Sequence, residues 1–402
     1  MKKIFFALLL LTQTAQAQYR QIGGTLTVKS GTQITALGDI QMSGGACRNL
    51  GTVQCASLTA APAATLRGNG YYRTRRTLSL LGSLLDHPNF VCTGDSTSSV
   101  TTVGSVWGLF VEKDNGGTVA LATPLTLVKQ LKFNHADNRL VLGNNDLTLQ
   151  PNCLASGANA TRFVVTNGTG RMVKQALGGV AFTFPVGADA ASYRPLRITN
   201  SGATDDIGVT MLPALLDGGG TGNPIAAEAV NGSWLVTEAT PGGSNLVLKT
   251  QWNAADELAG FDRSHCAVRR FDGSAWAATQ PLGKAVGTNP YTRTTSGLTA
   301  VGYFGVFDGT LPRPADRSEL LGTLEIAPNP VAAGGSVLLT LPEMGDWQVE
   351  VWSLDGQLLF SNKLGSVASA WLDLRGLPPG LVLVRTRAAG GREATGTVVV
   401  AQ

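Results

Sequence analysis

Almost nowhere in this chain do apolar residues recur at the helical spacing. They alternate with polar residues for a few positions and are then cut off by Gly, Asn or Asp. Alternation of that kind predicts short β-strands joined by tight turns. GTLTVKSGTQITALGDIQM alternates in this way, with Gly31 and Gly38 as breaks. VWGLFVEKDNGGTVAL reads as a hairpin turning at Asp114-Asn115-Gly116-Gly117, and LKFNHADNRLVLGNNDLTLQ repeats the idea with two polar turns. Glycine supports this, with 50 in 402 residues, about twice the usual share. The class is all-β. Residues 18–158 suit a β-helix-like stack, in which one rung alone buries too little, or a sandwich.

Residues 159–310 predict a β-sandwich, with strands TRFVVTN, VAFTFPVG, PLRITN, SWLVTEA, NLVLKTQW, CAVRRF and YFGVFDG. Trp234, Trp252 and Trp276 are its expected anchors. Asp272-Gly273 is an expected hairpin turn, and DGGGTGNP at 217–224 an expected flexible loop. Residues 311–321, with Pro312 and Pro314, read as a linker.

The first residues set the expected compartment. Lys2 and Lys3 precede an apolar run from Ile4 to Leu11, and Ala15-Gln16-Ala17 offers a small-x-small cleavage site. That pattern reads as a secretory signal peptide over 1–17, cut between Ala17 and Gln18. The run is far short of the ~20 residues of a membrane-spanning helix. Without Lys2 and Lys3 the formal net charge falls from +4 to about +2, so nothing global points to nucleic acid.

Five cysteines stand at 47, 55, 92, 153 and 266. Export permits disulfides, but an odd count leaves one thiol over. Cys47 and Cys55, on either side of Gly51, are the pair to consider for a bridge; buried thiols are the plainer reading. No Cys-x-x-Cys occurs, and His87, His135 and His265 lie in separate segments. Neither a metal nor another cofactor is expected.

Candidate chemistry is sparse. Gly94-Asp95-Ser96-Thr97 falls short of a nucleophile elbow, and GGGTG at 218–222 lacks the Lys of a phosphate loop. Asp205, Asp206 and Asp217 offer oxygens for calcium, with solvated turns as the plainer reading. YYRTRRT places Arg73 and Arg75 on one strand face beside Tyr72, a candidate glycan contact set against a plain solvent-facing strand. Asp256, Glu257 and Asp262 near Trp252 offer the paired carboxylates that glycoside hydrolysis uses, with turn capping as the plainer role.

The last eighty residues predict six or seven short strands in a compact sandwich. Its expected features, in order, are Pro328-Asn329-Pro330, a turn at Asp355-Gly356, Leu372-Asp373-Leu374 with Leu377, and the strand Gly380-Leu381-Val382-Leu383-Val384. In that order they resemble the type A C-terminal sorting domain of the type IX secretion system. Val382 stands where that family often has Tyr. The resemblance covers 322–402 and implies an immunoglobulin-like sandwich. It also implies recognition by outer-membrane secretion machinery of certain Gram-negative bacteria, followed by release or anchoring at the surface. Residues 18–310 are similar to Gly- and Asn-rich bacterial surface proteins, on VWGLFVEKDNGG, LVLGNNDLTL and FVVTNGTGRMVKQ.

The expected function is therefore a non-enzymatic, secreted or surface-displayed protein, an adhesin or surface component meeting glycans or neighbouring proteins. The rival is a secreted polysaccharide lyase or hydrolase on a β-helical scaffold. Residues 18–158 hold seven acidic side chains, at 39, 86, 95, 112, 114, 137 and 146. Three or more gathered beside Arg73 and Arg75 would favour the rival.

Overall fold

The computed structural model describes residues 18–135, 137–277, 281–309, 320–353, 357–388 and 393–401. The expected signal peptide with Ala17, most of the expected linker, and the Asp355-Gly356 turn lie outside them. The chain divides into two compact units, 1–312 and 313–402.

The first unit begins as a parallel β-solenoid. Each early rung visits three sheets in turn, as in Tyr19–Gln21, Thr25–Val28 and Gln33–Thr35. The next rung lays Ile40–Met42, Gly45–Asn49 and Thr52–Cys55 beside them in parallel. After four rungs the second sheet ends at Ser83–Leu85, and nine-residue strands at Ser105–Lys113 and Leu125–Phe133 take over its share of the wall. The stack continues past residue 158, where Phe163–Val165 and Val186–Gly187 extend the first sheet.

Period-two alternation builds the core. Ile40, Leu58, Leu78, Val100 and Leu121 stack in one inward column, and Val53, Tyr72, Phe90, Leu109 and Leu131 in another. All ten side chains are buried. No single strand could bury such a face; each rung is stabilised by the apolar area covered by its neighbours. Corners are equally constrained. Asn49, fully buried, donates to Tyr71 O and accepts from Gly51 N. Gly68 sits beside it at φ +94°, where an added Cβ would lie 2.1 Å from Asn49 O, so only glycine fits.

The structure corrects two expectations here. Ser105–Lys113 and Thr118–Leu121 do not form a hairpin: the first pairs with Asn89–Gly94 and Leu125–Phe133, the second with Ser98–Thr102 and Arg139–Val141, all in parallel. The Asp114–Gly117 turn, closed by Gly117 N donating to Asp114 O, carries the chain round a corner to another sheet. Strands flanking the next two polar turns likewise belong to different sheets. Second, no disulfide joins Cys47 to Cys55; all five cysteines are free and buried.

From Met172–Leu177 onward the third sheet becomes antiparallel, adding Asp205–Leu212, Ser233–Glu238, Gly302–Phe307 and Ala267–Arg270. A second antiparallel sheet of Phe182–Phe184, Leu196–Asn200, Leu246–Trp252 and Tyr291–Leu298 completes a sandwich. Trp234 and Trp252 are fully buried in a core continuous with that of the solenoid. Trp276 belongs to a smaller cluster with Leu215, Ile225 and Phe307. Among the described residues the helical element is one 3-10 turn, Ala254–Asp256.

The second unit is a small, mostly antiparallel β-sandwich. Two long strands, Ser336–Ser353 and Leu358–Asp373, pair along their length with a break in register between Thr340 and Gly345. Before the break the first strand pairs with Glu325–Ala327; after it, with Gly380–Ala388. Glu393–Val400 pairs with Gly380–Ala388 on one side and, in parallel, with Leu320–Thr323 on the other. The sheet closes over its own core, which includes Val337, Trp347, Val349, Leu374, Val384 and Val398.

Candidate functional site

A concavity lies on the solenoid corner between the third and first sheets. It is a cleft of about 320 Å³, lined chiefly by Leu37, Asp39, Ala56, Arg75, Arg76 and Asp95. Its origin is a difference in side-chain size between corners. Four successive rungs turn here, at residues 36–39, 56–57, 75–76 and 95–97, and the second carries only the small side chains of Ala56 and Ser57. A methyl group at that level leaves a dip between bulkier corners above and below. Backbone bonds lock the levels together: Ala56 N donates to Gly38 O, and Arg75 N and Arg76 N both donate to Ala56 O.

The floor is fixed from inside by Lys113. Alternation along Ser105–Lys113 turns this lysine inward, and its side chain is fully buried. Nζ donates to Arg75 O at 3.1 Å, Thr93 O at 2.5 Å and Ser98 Oγ at 3.0 Å. Burial pushes its pKa down, opposed by the charges of Cys92, Asp95 and Asp114. Sequence reasoning passed over Lys113; the signal was a cation at an inward position, two residues after the core residue Val111.

The four charged side chains of the cleft leave polar groups available. Arg75 gives one nitrogen to Leu37 O at 2.9 Å. No ion pair among the described residues joins Asp39 or Asp95 to Arg75 or Arg76. Two cations and two anions therefore face one small space and balance in charge.

The candidate glycan set of Tyr72, Arg73 and Arg75 does not converge. Tyr72 points into the core, stacked on Phe90 with ring centroids 5.4 Å apart and its hydroxyl donating to Cys47 O. It cannot touch a surface ligand, which corrects the expectation. Arg73 pairs with Glu112 at 2.7 Å, and Glu112 also accepts from Asn134. Arg75 alone enters the cleft, because the strand ends at Thr74 and the corner redirects the chain beyond it.

The remaining acidic residues of the solenoid are dispersed. Asp86 pairs with Arg67, Asp146 with Arg171, and Asp114 lies 3.4 Å from His135. Two carboxylates, Asp39 and Asp95, thus stand beside Arg75.

The sandwich carboxylates are structural. Asp256 pairs with Arg194. Glu257 accepts from Trp252 Nε1 at 2.8 Å and from both Nε and Nη2 of Arg263. Asp262 caps a turn by accepting from the Ser264 amide and hydroxyl and from His265, which holds its carboxyl down at about 2. Asp272 does the same for Ser274 and Ala275 in the FDGSAW turn. Asp205 accepts from Thr240 N, Asp206 from Ala176 N and Asp217 from Asn223 N, so each serves a turn. No group of three potential metal ligands occurs among the described residues. The glycine loop after Asp217 is packed rather than loose: a Cβ on Gly220 would meet Tyr303 Oη at 2.2 Å. His87 lies against Trp107, with ring centroids 3.8 Å apart.

In the second unit, Pro328, Asn329 and Pro330 are exposed, and Asn329 reaches the last strand. Its Nδ2 donates to Thr397 O at 2.7 Å, and its Oδ1 accepts from Val399 N at 2.9 Å. Leu374 is fully buried, and Gly380 opens its strand at φ +141°. Gln18, at the expected cleavage site, is exposed just before the first strand. Comparison with family models, curated proteins and solved structures finds no match, so the sorting-domain resemblance rests on these motif residues alone.

Proposed function

We propose that this chain is a secreted or surface-displayed binding protein without catalysis, with 322–402 as a type IX sorting domain read by outer-membrane secretion machinery. The observation that carries the reading is that 313–402 form a compact unit with a core of their own. A detachable address must fold without its cargo, and a separate core allows that. The solenoid supplies a rigid surface whose corners can meet glycans or proteins outside the cell. Deleting 322–402 and fractionating the source bacterium tests the address. Retention in the periplasm is expected; normal surface delivery of the shortened chain would refute it.

A secreted carbohydrate-active enzyme is the second reading, favoured by Asp39 and Asp95 in one cleft with Arg75 and Arg76. Three acidic residues do lie beside Arg73 and Arg75, but they do not share one groove: Glu112 is held by Arg73 outside the cleft that Asp39 and Asp95 line with Arg75. Release of reducing ends from a polysaccharide panel by the intact protein would promote it.

A further inference from the structure

We infer that the corner cleft is a binding site for a neutral saccharide, which rests on the surface-binding reading above and names its ligand class. The cleft spans four rungs. At the ~4.8 Å spacing of neighbouring strands, Asp39 and Asp95 stand roughly 14 Å apart along the solenoid axis. Arg75 and Arg76 lie between them, one rung from Asp95. The space of about 320 Å³ is at the small end of ligand pockets.

Charge selects the ligand class. Beneath the floor Lys113 directs its ammonium to Arg75 O, Thr93 O and Ser98 Oγ. At the surface an anion would touch two carboxylates as well as two guanidinium groups, and a cation the reverse, so neither is favoured by the groups it would contact. A neutral molecule rich in hydroxyls suits both partners, because each hydroxyl donates and accepts. Its protons go to Asp39 and Asp95, and its oxygens accept from the forks of Arg75 and Arg76. Such charge-assisted bonds are about twice as strong as neutral ones.

The site is also preorganised. Lys113 ties the carbonyls of Arg75 and Thr93 together from below, and the backbone bonds at Ala56 fix the spacing of the levels. A rigid site loses less freedom on binding.

The test is calorimetric titration of the intact protein with maltotriose, cellotriose and chitotriose as neutral probes, a galacturonic acid trimer as the acidic probe and a dipeptide as the zwitterionic one. At least one neutral trisaccharide is expected to bind, with affinity falling on the order of tenfold in Asp39→Asn and in Arg76→Gln. Arg67→Gln, on the solenoid wall beside Asp86, should leave affinity unchanged. Should Asp39→Asn fail to fold, Arg76→Gln alters an exposed side chain and carries the test alone. Absence of neutral binding, preference for the acidic or zwitterionic probe, or equal affinity in the cleft variants would overturn the inference. Localisation of the chain lacking 322–402 is read separately, so failure of the ligand and failure of the address are distinguishable.

Discussion

Arg194 and Asp256, 62 residues apart in sequence, form an ion pair at 2.7 Å with side chains only 7% and 15% exposed. Arg194 also donates to Asn231 O, and Asp256 accepts from Asn253 N. The pair pins the 3-10 turn to the sandwich. Removing one partner strands a buried charge, so Asp256→Ala should destabilise the first unit by about 3–5 kcal/mol. Urea unfolding followed by tryptophan fluorescence checks this; a loss under about 1 kcal/mol would show that solvent reaches Arg194 freely.

The five buried thiols should resist labelling in the native protein. Burial pushes Cys55 and Cys92 up to about 12 and Cys153 and Cys266 to about 11, and raises Cys47 as well. An acid whose folded value is raised adds stability below its unfolded pKa, ~8.5 for a thiol. That contribution is lost as pH rises through 11 to 12. The urea midpoint should therefore fall across the alkaline range, and five thiols should react only on unfolding. A non-reduced mass carrying a Cys47–Cys55 bridge would contradict this.

Asp262 should titrate at about 2. Its folded value lies below the ~3.9 of an unfolded Asp, so the turn is held at neutral pH and loosens as pH falls from about 4 toward 2. Carboxyl chemical shifts in a pH series measure it directly. A midpoint near that of a free Asp would mean that the Ser264 bonds do not form in solution.

Asn329→Ala removes both bonds to the last strand of the second unit. A loss of about 1–2 kcal/mol is expected in that unit. Hydrogen exchange should quicken at Val399, whose amide loses its acceptor, while Trp234 amide exchange in the first unit stays unchanged. Equal protection of Val399 in both proteins would refute the tie.

The strands were legible in the sequence because alternation is local: Leu78 and Leu80 point inward whatever lies beside them. Their partners were not. Parallel neighbours lie 18 positions apart at Ile40 and Leu58 but 24 apart at Leu140 and Val164, so corners of unequal length hide the repeat. The Asp114–Gly117 turn shows the same limit, since its chemistry serves a hairpin and a solenoid corner equally well.

By itself the sequence determined the all-β class and the burial of Trp234 and Trp252, because both derive from side-chain polarity and short-range spacing. Only the tertiary structure decided that Tyr72 goes inward, that Arg73 is held by Glu112, and that Arg75 turns away to line one cleft with Asp39 and Asp95. Those positions span more than fifty residues. They meet because coiling stacks successive corners at the strand spacing, a consequence of hydrogen bonding between rungs that no single segment encodes.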